Sequence, residues 1–409
     1  MKIKSISIEN FRGLRDVRIH QCDEHVNLFV GVNGAGKSSI LEAMALVFSW
    51  FTARMLSATG RGHNIPIDDI SHNASNGCRI ELGLENGDVW KLYRSQKYHK
   101  SEKSDLSSMN RYVTHTREKL DIEATTSLPV IAYYGVNRVI SNKYPKLPRG
   151  KNEIPQLATY KNALGSGISF ADFFNWFRIS EDYENEQYKA DKLYREPGLE
   201  AVRRCMATVM PEYSDMKVTR RPLALTMKKE DETFKLNQLS DGEKCYISLV
   251  CDIARRLAIA NPDGDPLKGE GIILIDEVDL HLHPKWQQII VSKLVETFPN
   301  CQFFITTHSP IVASDVDGKV FGIKDGEIVP YHTFGKLASG ILSSVFDMET
   351  ARNLFVQSII ESAYNAINEG DEASYKRYLN QLISILGADD PDITGLRIEK
   401  IRRDKVLAK

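Results

Sequence analysis

The feature that most constrains how this chain can fold is the loop Gly31–Ser38, whose sequence is GVNGAGKS. The short apolar run Val26–Val30 precedes the loop, and apolar residues recur at helical spacing after Lys37. This order predicts a buried strand, a tight turn and a helix. The glycines let the backbone curl so that successive N–H groups point at one spot. The sequence therefore predicts a phosphate-binding loop on an α/β sheet, backed by the positive end of a helix.

The side chains and amides of this loop have separate predicted tasks. Lys37 is expected to bridge the β- and γ-phosphates of a nucleotide, and the Ser38 hydroxyl is expected to bind Mg²⁺. An ordinary glycine-rich turn is the alternative, and the flanking strand and helix argue against it. The predicted nucleotide-binding residues of the loop are Asn33, Gly34, Ala35, Gly36, Lys37, Ser38 and Ser39.

Two further apolar runs end in polar side chains that can complete such a site. The run Ile272–Ile275 predicts a parallel strand covered on both faces, and Asp276 and Glu277 follow it. Asp276 is predicted to hold Mg²⁺, and Glu277 to polarise the attacking water as a general base. His308 follows a second such strand and is predicted to contact the γ-phosphate or orient the water. The alternatives are a solvated acidic turn and a structural histidine.

The segment Leu239–Lys244, with the sequence LSDGEK, precedes a stripe of apolar residues at helical spacing. The stripe predicts a helix that has Ser240 and Gly242 at its N-terminus. The N–H groups and partial positive charge of a helix N-terminus favour anions. Ser240 and Gly242 are therefore candidate nucleotide-binding residues.

Four motifs in this order resemble those of ABC-type ATPases: Gly31–Ser38, Leu239–Lys244, Ile272–Glu277 and Thr306–Ser309. The resemblance implies an α/β, ABC-type ATPase head (a P-loop sheet plus an antiparallel sheet lobe), with ATP and Mg²⁺ as cofactors. It also implies that Ser240 and Gly242 close over ATP held by a second copy, so that ATP bridges a homodimer. Asp241 and Glu243 depart from the usual glycine and glutamine. Both departures are common in the DNA-associated branch and do not imply loss of function.

Two flanking segments indicate the branch of this superfamily. The segment Glu277–Pro284, EVDLHLHP, differs from that of most transporter ATPases and resembles that of OLD, RecF and SMC-like ATPases. The opening Ile6–Leu14 resembles the same branch, whose first strand ends in N-F-R, and it adds Arg12 as a nucleotide-binding candidate. His281 and His283 also allow a zinc site, but their place in this motif favours a dimer-contact loop.

Composition indicates a cytoplasmic head. The chain has 409 residues, of which 42% are hydrophobic, enough to bury a large core. It has no run of 18 uncharged apolar residues and no apolar leader, so no membrane association is expected. A formal net charge of −1 gives no global sign of nucleic-acid binding. The scattered cysteines predict reduced thiols: Cys22, Cys78, Cys205, Cys245, Cys251 and Cys301.

The predicted head spans residues 1–334, and local sequence patterns divide it into distinct segments. The runs 79–84 and 89–93 flank an Asn-Gly turn and predict a hairpin of the antiparallel lobe. The segment 91–120 carries eight Lys and Arg against three Asp and Glu, which suits either a nucleic-acid contact or a solvated loop. The segment 129–138 predicts a strand whose polar end lies near the ATP site.

An inserted loop and helical region is predicted at about residues 141–215, with a Pro-, Lys- and Gly-rich loop before a helical pattern over 170–210. Only about 200 residues separate Ser38 from Leu239, and no sustained heptad pattern occurs between them. The long coiled coil of SMC proteins is therefore excluded.

The segment 335–409 predicts an all-helical tail with apolar stripes. Packing on the head and docking of a partner are both open roles for it. OLD nucleases would continue into a Toprim domain with clustered acidic ligands, which is not expected here.

Over nearly the whole chain, these motifs resemble the PtuA-type ATPases of Septu and retron-associated anti-phage systems. This resemblance implies a regulatory ATPase that forms a homodimer or a higher oligomer and controls a separate HNH-type nuclease. A RecF-like DNA-repair ATPase, which binds DNA or another nucleic acid directly, is the alternative. A transporter ATPase is disfavoured by the EVDLHLHP segment and the N-F-R opening.

Overall fold

The computed structural model describes residues 1–72, 74, 77–95, 102–137, 154–165, 167–348, 350 and 352–407. These residues form two compact units, Met1–Lys336 and Leu337–Lys409. The strands are β1 (Ile3–Phe11), β2 (Leu14–Ile19), β3 (Val26–Val30), β4 (Cys78–Leu84), β5 (Val89–Arg94), β6 (Val130–Tyr134), β7 (Tyr213–Arg220), β8 (Leu223–Lys229), β9 (Glu232–Lys235), β10 (Gly271–Ile275), β11 (Cys301–Thr307), β12 (Lys319–Lys324) and β13 (Glu327–Tyr331).

Helices connect these strands and form the second unit. The α-helices of the first unit are α1 (Lys37–Leu56), α2 (Ser107–Ile122), α3 (Phe170–Ala190), α4 (Pro197–Val209), α5 (Asp241–Ala260), α6 (Pro284–Gln287), α7 (Ile290–Thr297) and α8 (Pro310–Asp315). Those of the second unit are α9 (Ala338–Val345), α10 (Leu354–Glu369), α11 (Glu372–Leu386) and α12 (Pro391–Leu407).

The central sheet of the first unit has the strand order β13-β12-β3-β11-β10-β6. All its neighbouring strands are parallel except β12 and β13. Every residue of β3, β6, β10 and β11 is buried, as expected for parallel strands covered on both faces. Because parallel strands share a direction, the carboxyl ends of these four strands meet at one edge, where α/β folds bind ligands.

A second, antiparallel sheet has the order β2-β1-β4-β5, which confirms the predicted hairpin of β4 and β5. Burial alternates along β4, so one face of the strand packs inward. Trp90 of β5 stacks on Phe51 of α1, with ring centroids 5.7 Å apart, and meets Phe48 edge-on at 6.2 Å. This contact fixes the antiparallel sheet to the helix that follows the phosphate-binding loop.

The structure corrects one expectation and refines another in the regions between these sheets. Helix α2 occupies part of the segment 91–120 in place of a solvated loop, because Met109, Val113 and Thr116 form a buried stripe at helical spacing. Residues 96–101 lie outside the described part. The helical pattern over 170–210 is two helices, and α4 starts with Pro197 in its first turn.

The small antiparallel sheet β7-β8-β9 was not expected from the sequence. Turns at Arg221–Pro222 and Glu230–Asp231 separate its strands, and these turn signals were overlooked. Of the insertion predicted at about residues 141–215, residues 141–153 and 166 lie outside the described part of the chain.

The second unit confirms the all-helical prediction for the tail. Helices α10, α11 and α12 share one apolar core, formed mainly by Val356, Ile359, Ile360, Ala363, Ala366, Ile367, Tyr375, Leu382, Ile393 and Leu396. Each of these three helices buries its apolar stripe against the other two, and this burial is sufficient to explain the fold of the helical unit.

Among the described residues, one helix has the length and apolar composition of a membrane span, namely α1 (Lys37–Leu56). Of its most apolar window, 61% is buried inside the protein. Its apolar character therefore reflects its contacts in the core, which include Trp90.

Candidate active site

The phosphate-binding loop leaves the central sheet at the carboxyl end of β3 and leads into α1. Gly36 has φ of 107°, and a Cβ atom there would lie 2.6 Å from Cδ2 of Leu14. Only glycine satisfies both conditions without strain. Asn33 and Gly34 are exposed, so the cradle opens to solvent.

Lys37 lies within this cradle and is almost fully buried. Its Nζ donates to the carbonyl oxygens of Gly31 and Val32 at 2.9 and 3.0 Å. Burial lowers the pKa of Lys37, against the opposing effect of Glu277 and nearby aspartates. An ammonium group held among carbonyl oxygens is a preformed partner for an incoming phosphate.

Asp276 follows β10 and is the predicted metal ligand. Its Oδ1 accepts hydrogen bonds from Ser38 Oγ at 2.9 Å and from Thr306 Oγ1 at 2.6 Å. A serine hydroxyl beside a carboxylate is the hard oxygen donor set that suits Mg²⁺, which also takes water and phosphate oxygens as ligands. Ser38 and Asp276 therefore fit the ion, which when bound would neutralise phosphate charge.

Glu277, the predicted general base, occupies an unusual backbone conformation. Its φ of 47° is left-handed, and its N–H donates to Thr306 Oγ1 at 2.7 Å. Non-glycine residues in this region are strained, and such strain concentrates at functional sites. The turn leaves the Glu277 side chain partly exposed, with Oε1 lying 3.7 Å from Nε2 of His308.

His308 lies between the lysine and the glutamate. Burial and the Lys37 charge lower the pKa of His308 below its usual value, although neighbouring carboxylates oppose them. The imidazole is therefore neutral at neutral pH. Its Nδ1 lies 3.4 Å from Lys37 Nζ, which can only donate, so we assign the ring proton to Nε2, facing Glu277. A neutral histidine in this tautomer can donate to a phosphate oxygen or a water.

Arg12 lies beside α1, the helix that follows the phosphate-binding loop. Its guanidinium pairs with Glu42 of α1 and with Asp69, the latter at 2.8 Å. Glu42 comes one helical turn after Ser38, and residues four apart share a helix face. Arg12 is therefore near the face of α1 that carries Ser38, but two carboxylates hold it in this structure.

Ser240 and Gly242 lie at the start of α5. Ser240 is exposed and caps α5, and a reciprocal pair of hydrogen bonds links it to Glu243. This capping box satisfies amide groups at the start of the helix. The predicted helix and the predicted place of Ser240 at its N-terminus are both confirmed.

Gly242 packs against the segment that follows the acidic pair. A Cβ atom at Gly242 would lie 2.2 Å from the carbonyl oxygen of His281, which itself has φ of 62°. The side chain of His283 caps α6 by accepting from Lys285 N at 3.2 Å. The LSDGEK helix and the EVDLHLHP segment therefore form one continuous surface.

We expect Gly242→Ala to lower the free energy of unfolding by about 1–3 kcal/mol, because the new methyl group must displace backbone at His281. Denaturant titration of the full chain measures this change. Gly340→Ala in α9 is the matched control, since nothing lies within 4 Å of its added Cβ. An unchanged stability for Gly242→Ala would show that the contact is looser than the structure indicates.

Sequence reasoning missed several residues of this site. Thr306 links the acidic pair, since its hydroxyl donates to Asp276 and accepts from Glu277 N. Two buried threonines at the end of an apolar strand were the available signal. Tyr134 lies opposite Ile275 in the parallel register, so the carboxyl end of β6 lies at the same edge. Residue 138, at the end of the predicted strand, lies outside the described part.

A buried polar network ties α5 to this edge of the sheet. The Tyr134 hydroxyl donates to Asp252 Oδ2 at 2.9 Å, and the Tyr134 carbonyl accepts from Asp276 N at 2.8 Å. Arg255 and Arg256 also donate to Asp252. Burial raises the pKa of Asp252, but the two guanidinium groups outweigh burial and hold it well below its usual range.

Several basic side chains of the segment 91–120 contact other groups of the protein. Four of those described contact other groups of the chain: Lys91 contacts Glu102 at 3.3 Å, Arg94 contacts the Ile65 carbonyl at 2.5 Å, Arg111 contacts Asp88 at 3.9 Å, and Arg117 contacts the Met55 carbonyl at 2.6 Å. These contacts give the charges a structural role and offer no support for a nucleic-acid contact.

A glycine cradle after β3 and an acidic pair after β10, two parallel strands with β11 between them, are the arrangement of a P-loop ATPase. The LSDGEK helix makes it one of the ABC type. Residues 26–314 match the family model described as "AAA domain, putative AbiEii toxin, Type IV TA system". That match covers more than half of the chain, and the chain belongs to this family. It is an ATPase.

Named relatives are similar along most of their length. The chain is 28% identical to "Retron Vc95 probable ATPase" of Vibrio cholerae serotype O1 biovar El Tor, over 91% of this chain and 84% of that protein. It is 26% identical to "Retron Ec83 probable ATPase" of Escherichia coli, over 98% and 87%. It is 22% identical to "Septu protein PtuA" of Bacillus thuringiensis, over 92% of each chain.

Proposed function

We propose that this chain is the regulatory ATPase subunit of an anti-phage defence complex. Two copies close head to head around ATP and control a separate, HNH-type nuclease. The observation that carries the proposal is the exposed N-terminus of α5, which carries the signature serine Ser240. The cradle, Asp276, Glu277 and His308 form one cluster, while Ser240 is exposed at the N-terminus of α5 and hydrogen-bonds to Glu243.

The roles within each half-site follow from the contacts. Lys37 and the amides of the loop bind the β- and γ-phosphates, while Ser38 and Asp276 hold Mg²⁺. Glu277 polarises the attacking water, and His308 orients it or contacts the γ-phosphate. Arg12 joins the phosphates after exchanging one of its carboxylate partners. Ser240 and Gly242 complete the site of the second copy by presenting a helix N-terminus to its γ-phosphate.

The names of the relatives support the defence context. Two of them are retron ATPases and a third is a Septu PtuA protein, and all three are similar over more than 90% of this chain. The motifs found in the chain account for an ATPase activity, so we assign the nuclease activity of the complex to a partner. The resemblance to PtuA-type ATPases makes an HNH-type nuclease the expected partner.

Purification of the tagged full-length chain with its native operon tests this proposal. We expect an HNH-family protein to remain bound and to be identified by mass spectrometry. Tight, ATP-dependent DNA binding by the chain alone, with no protein retained, would instead favour the RecF-like repair function.

The second unit, Leu337–Lys409, is proposed to carry partner or self-assembly contacts. It has its own core, yet Leu354 and Phe355 at the start of α10 are 73% and 61% exposed. Large apolar side chains exposed side by side commonly mark interaction sites. The apolar pair therefore gives the docking role a specific place on this unit.

A chain ending at Lys336 should keep ATP binding and lose the nuclease or the higher assembly. ATP affinity and co-purification measure the two effects. Leu354→Ser with Phe355→Ser in the full chain should give the same loss without removing the unit. Ile122→Ser, at an 87% exposed apolar residue of α2, is the control. Complete assembly in both the truncated and the doubly substituted chain would rule out docking by this unit.

We also propose a cytoplasmic location. The six cysteines are all buried thiols, and burial raises the pKa of those at 22, 78, 205, 251 and 301. Thiols of this kind are typical of proteins in a reducing compartment. Fractionation of the native cells tests the location.

A further inference from the structure

The carboxylate of Glu243 joins the LSDGEK helix to the small sheet β7-β8-β9. Its Oε2 accepts hydrogen bonds from the backbone N and the Oγ of Ser240, at 2.9 and 2.8 Å. Its Oε1 accepts from the Tyr213 hydroxyl at 2.5 Å and from Lys229 Nζ at 3.1 Å. One carboxylate therefore connects the exposed serine to two side chains of a separate sheet.

Tyr213 and Lys229 reach this carboxylate together because they are directly opposite each other in the register of β7 and β8. Side chains opposite each other in an antiparallel pair project from the same face. Lys229 Nζ lies 3.1 Å from the Tyr213 hydroxyl and 4.9 Å from the centre of its ring. The hydroxyl and ring of Tyr213 and the carboxylate of Glu243 hold the cation, which fixes its position beside the carboxylate that Ser240 also contacts.

The protonation state of Glu243 decides which group donates. Burial raises the pKa of Glu243, but hydrogen bonds from Tyr213, Ser240 and Lys229 outweigh burial and lower it to about 2. An ionised carboxylate only accepts, so Ser240 Oγ donates to Glu243. A phosphate oxygen also only accepts. Ser240 can therefore bind a phosphate through its hydroxyl only after turning away from Glu243.

We propose that Glu243 and Lys229 are positioning residues. They set the orientation of the Ser240 hydroxyl and the local charge that the γ-phosphate of the second subunit meets on closure. This inference rests on the ATP-bridged dimer proposed above. On closure the Ser240 hydroxyl exchanges its acceptor, from Glu243 to the phosphate, and no proton is transferred. Lys229 and Tyr213 keep the released carboxylate partnered, and the Lys229 charge offsets its repulsion of the phosphate.

The two residues of the ion pair should act with opposite sign. Lys229→Met leaves an unneutralised carboxylate beside the phosphate and should raise the ATP concentration for half-maximal dimerisation about tenfold. Glu243→Gln leaves the Lys229 cation in place and should lower that concentration. The double variant removes both charges and should lie between the two single variants.

The measurement uses the full-length chain carrying Glu277→Gln, so that closed dimers are not lost to hydrolysis. Sedimentation velocity at increasing Mg²⁺·ATP concentration gives the dimerisation midpoint for each variant. Lys228→Met is the matched control, since Lys228 is exposed, projects from the opposite face of β8 and pairs with Asp215 at 3.6 Å. It should leave the midpoint unchanged.

If the pair had only a structural role, both single variants would shift the dimerisation midpoint in the same direction, or neither would shift it. Either result would overturn this inference without contradicting the proposed two-copy site. Lys229→Arg should restore the midpoint, because it keeps the charge. If the Glu277→Gln chain itself never dimerises with ATP, the proposed two-copy site fails, and this inference fails with it.

Discussion

Glu277→Gln should bind Mg²⁺·ATP with nearly unchanged affinity and hydrolyse it about 10²–10⁴-fold more slowly, the range typical of removing a general base. The phosphate cradle does not use the Glu277 side chain, because Lys37 contacts backbone carbonyls and Asp276 is held by Ser38 and Thr306. A glutamine has a similar shape but cannot accept the proton of the attacking water. ATP should therefore stay bound, and the closed dimer should accumulate.

Steady-state phosphate release and equilibrium ATP binding measure the two properties separately. Glu296→Gln is the matched control, because Glu296 is exposed on α7 and pairs only weakly with Lys293 at the surface. It should hydrolyse ATP at the normal rate. Near-normal turnover in Glu277→Gln would remove Glu277 from the base role and point to His308 or a water held by other groups.

Ser240→Arg should leave ATP binding to the single chain intact and abolish ATP-driven closure, with hydrolysis reduced about 10²-fold or more, as when a donor to a developing negative charge is lost. The long side chain replaces a cap that is exposed and linked to Glu243. It does not reach the cradle of its own chain if the signature serves a second copy. ATP affinity and dimerisation by sedimentation velocity separate these effects.

A mixing experiment tests whether the site is shared between copies. Lys37→Ala and Ser240→Arg chains should each be inactive alone, since every site in either homodimer lacks one residue. A mixed dimer combines the intact Lys37 of one copy with the intact Ser240 of the other, so activity should return at one site per dimer. Failure of the mixture to recover, or loss of ATP binding by the Ser240→Arg monomer, would contradict the shared site.

Much of the cradle and its metal ligands could be predicted from the sequence because each element is local. The loop Gly31–Ser38, the strand ending in Asp276 and Glu277, and the helix that starts at Ser240 are short contiguous segments. Their apolar periods and glycines specify strand, turn and helix without reference to the rest of the chain. The structure confirms these elements, and the roles of their residues await the experiments above.

The basic segment 91–120 shows what composition leaves open. Composition alone made its lysines and arginines look available to a nucleic acid. The helix α2 and the contacts of Arg94 and Arg117 with backbone carbonyls turn several of these charges toward the protein. Charge counts cannot show this, because they do not record which partners the fold supplies.

By itself the sequence determined the cradle, the acidic strand end and the capped helix, since neighbouring residues and backbone geometry are sufficient for each. Only the tertiary structure decided that Thr306 joins Asp276 to Glu277, and that Lys229 and Tyr213 hold Glu243. These contacts depend on strand order and register, which bring together residues far apart in the chain. Apolar periodicity specifies which face of a strand is buried, but it does not specify which strands lie beside it. The side-chain partners on adjacent strands could therefore be identified only from the tertiary structure.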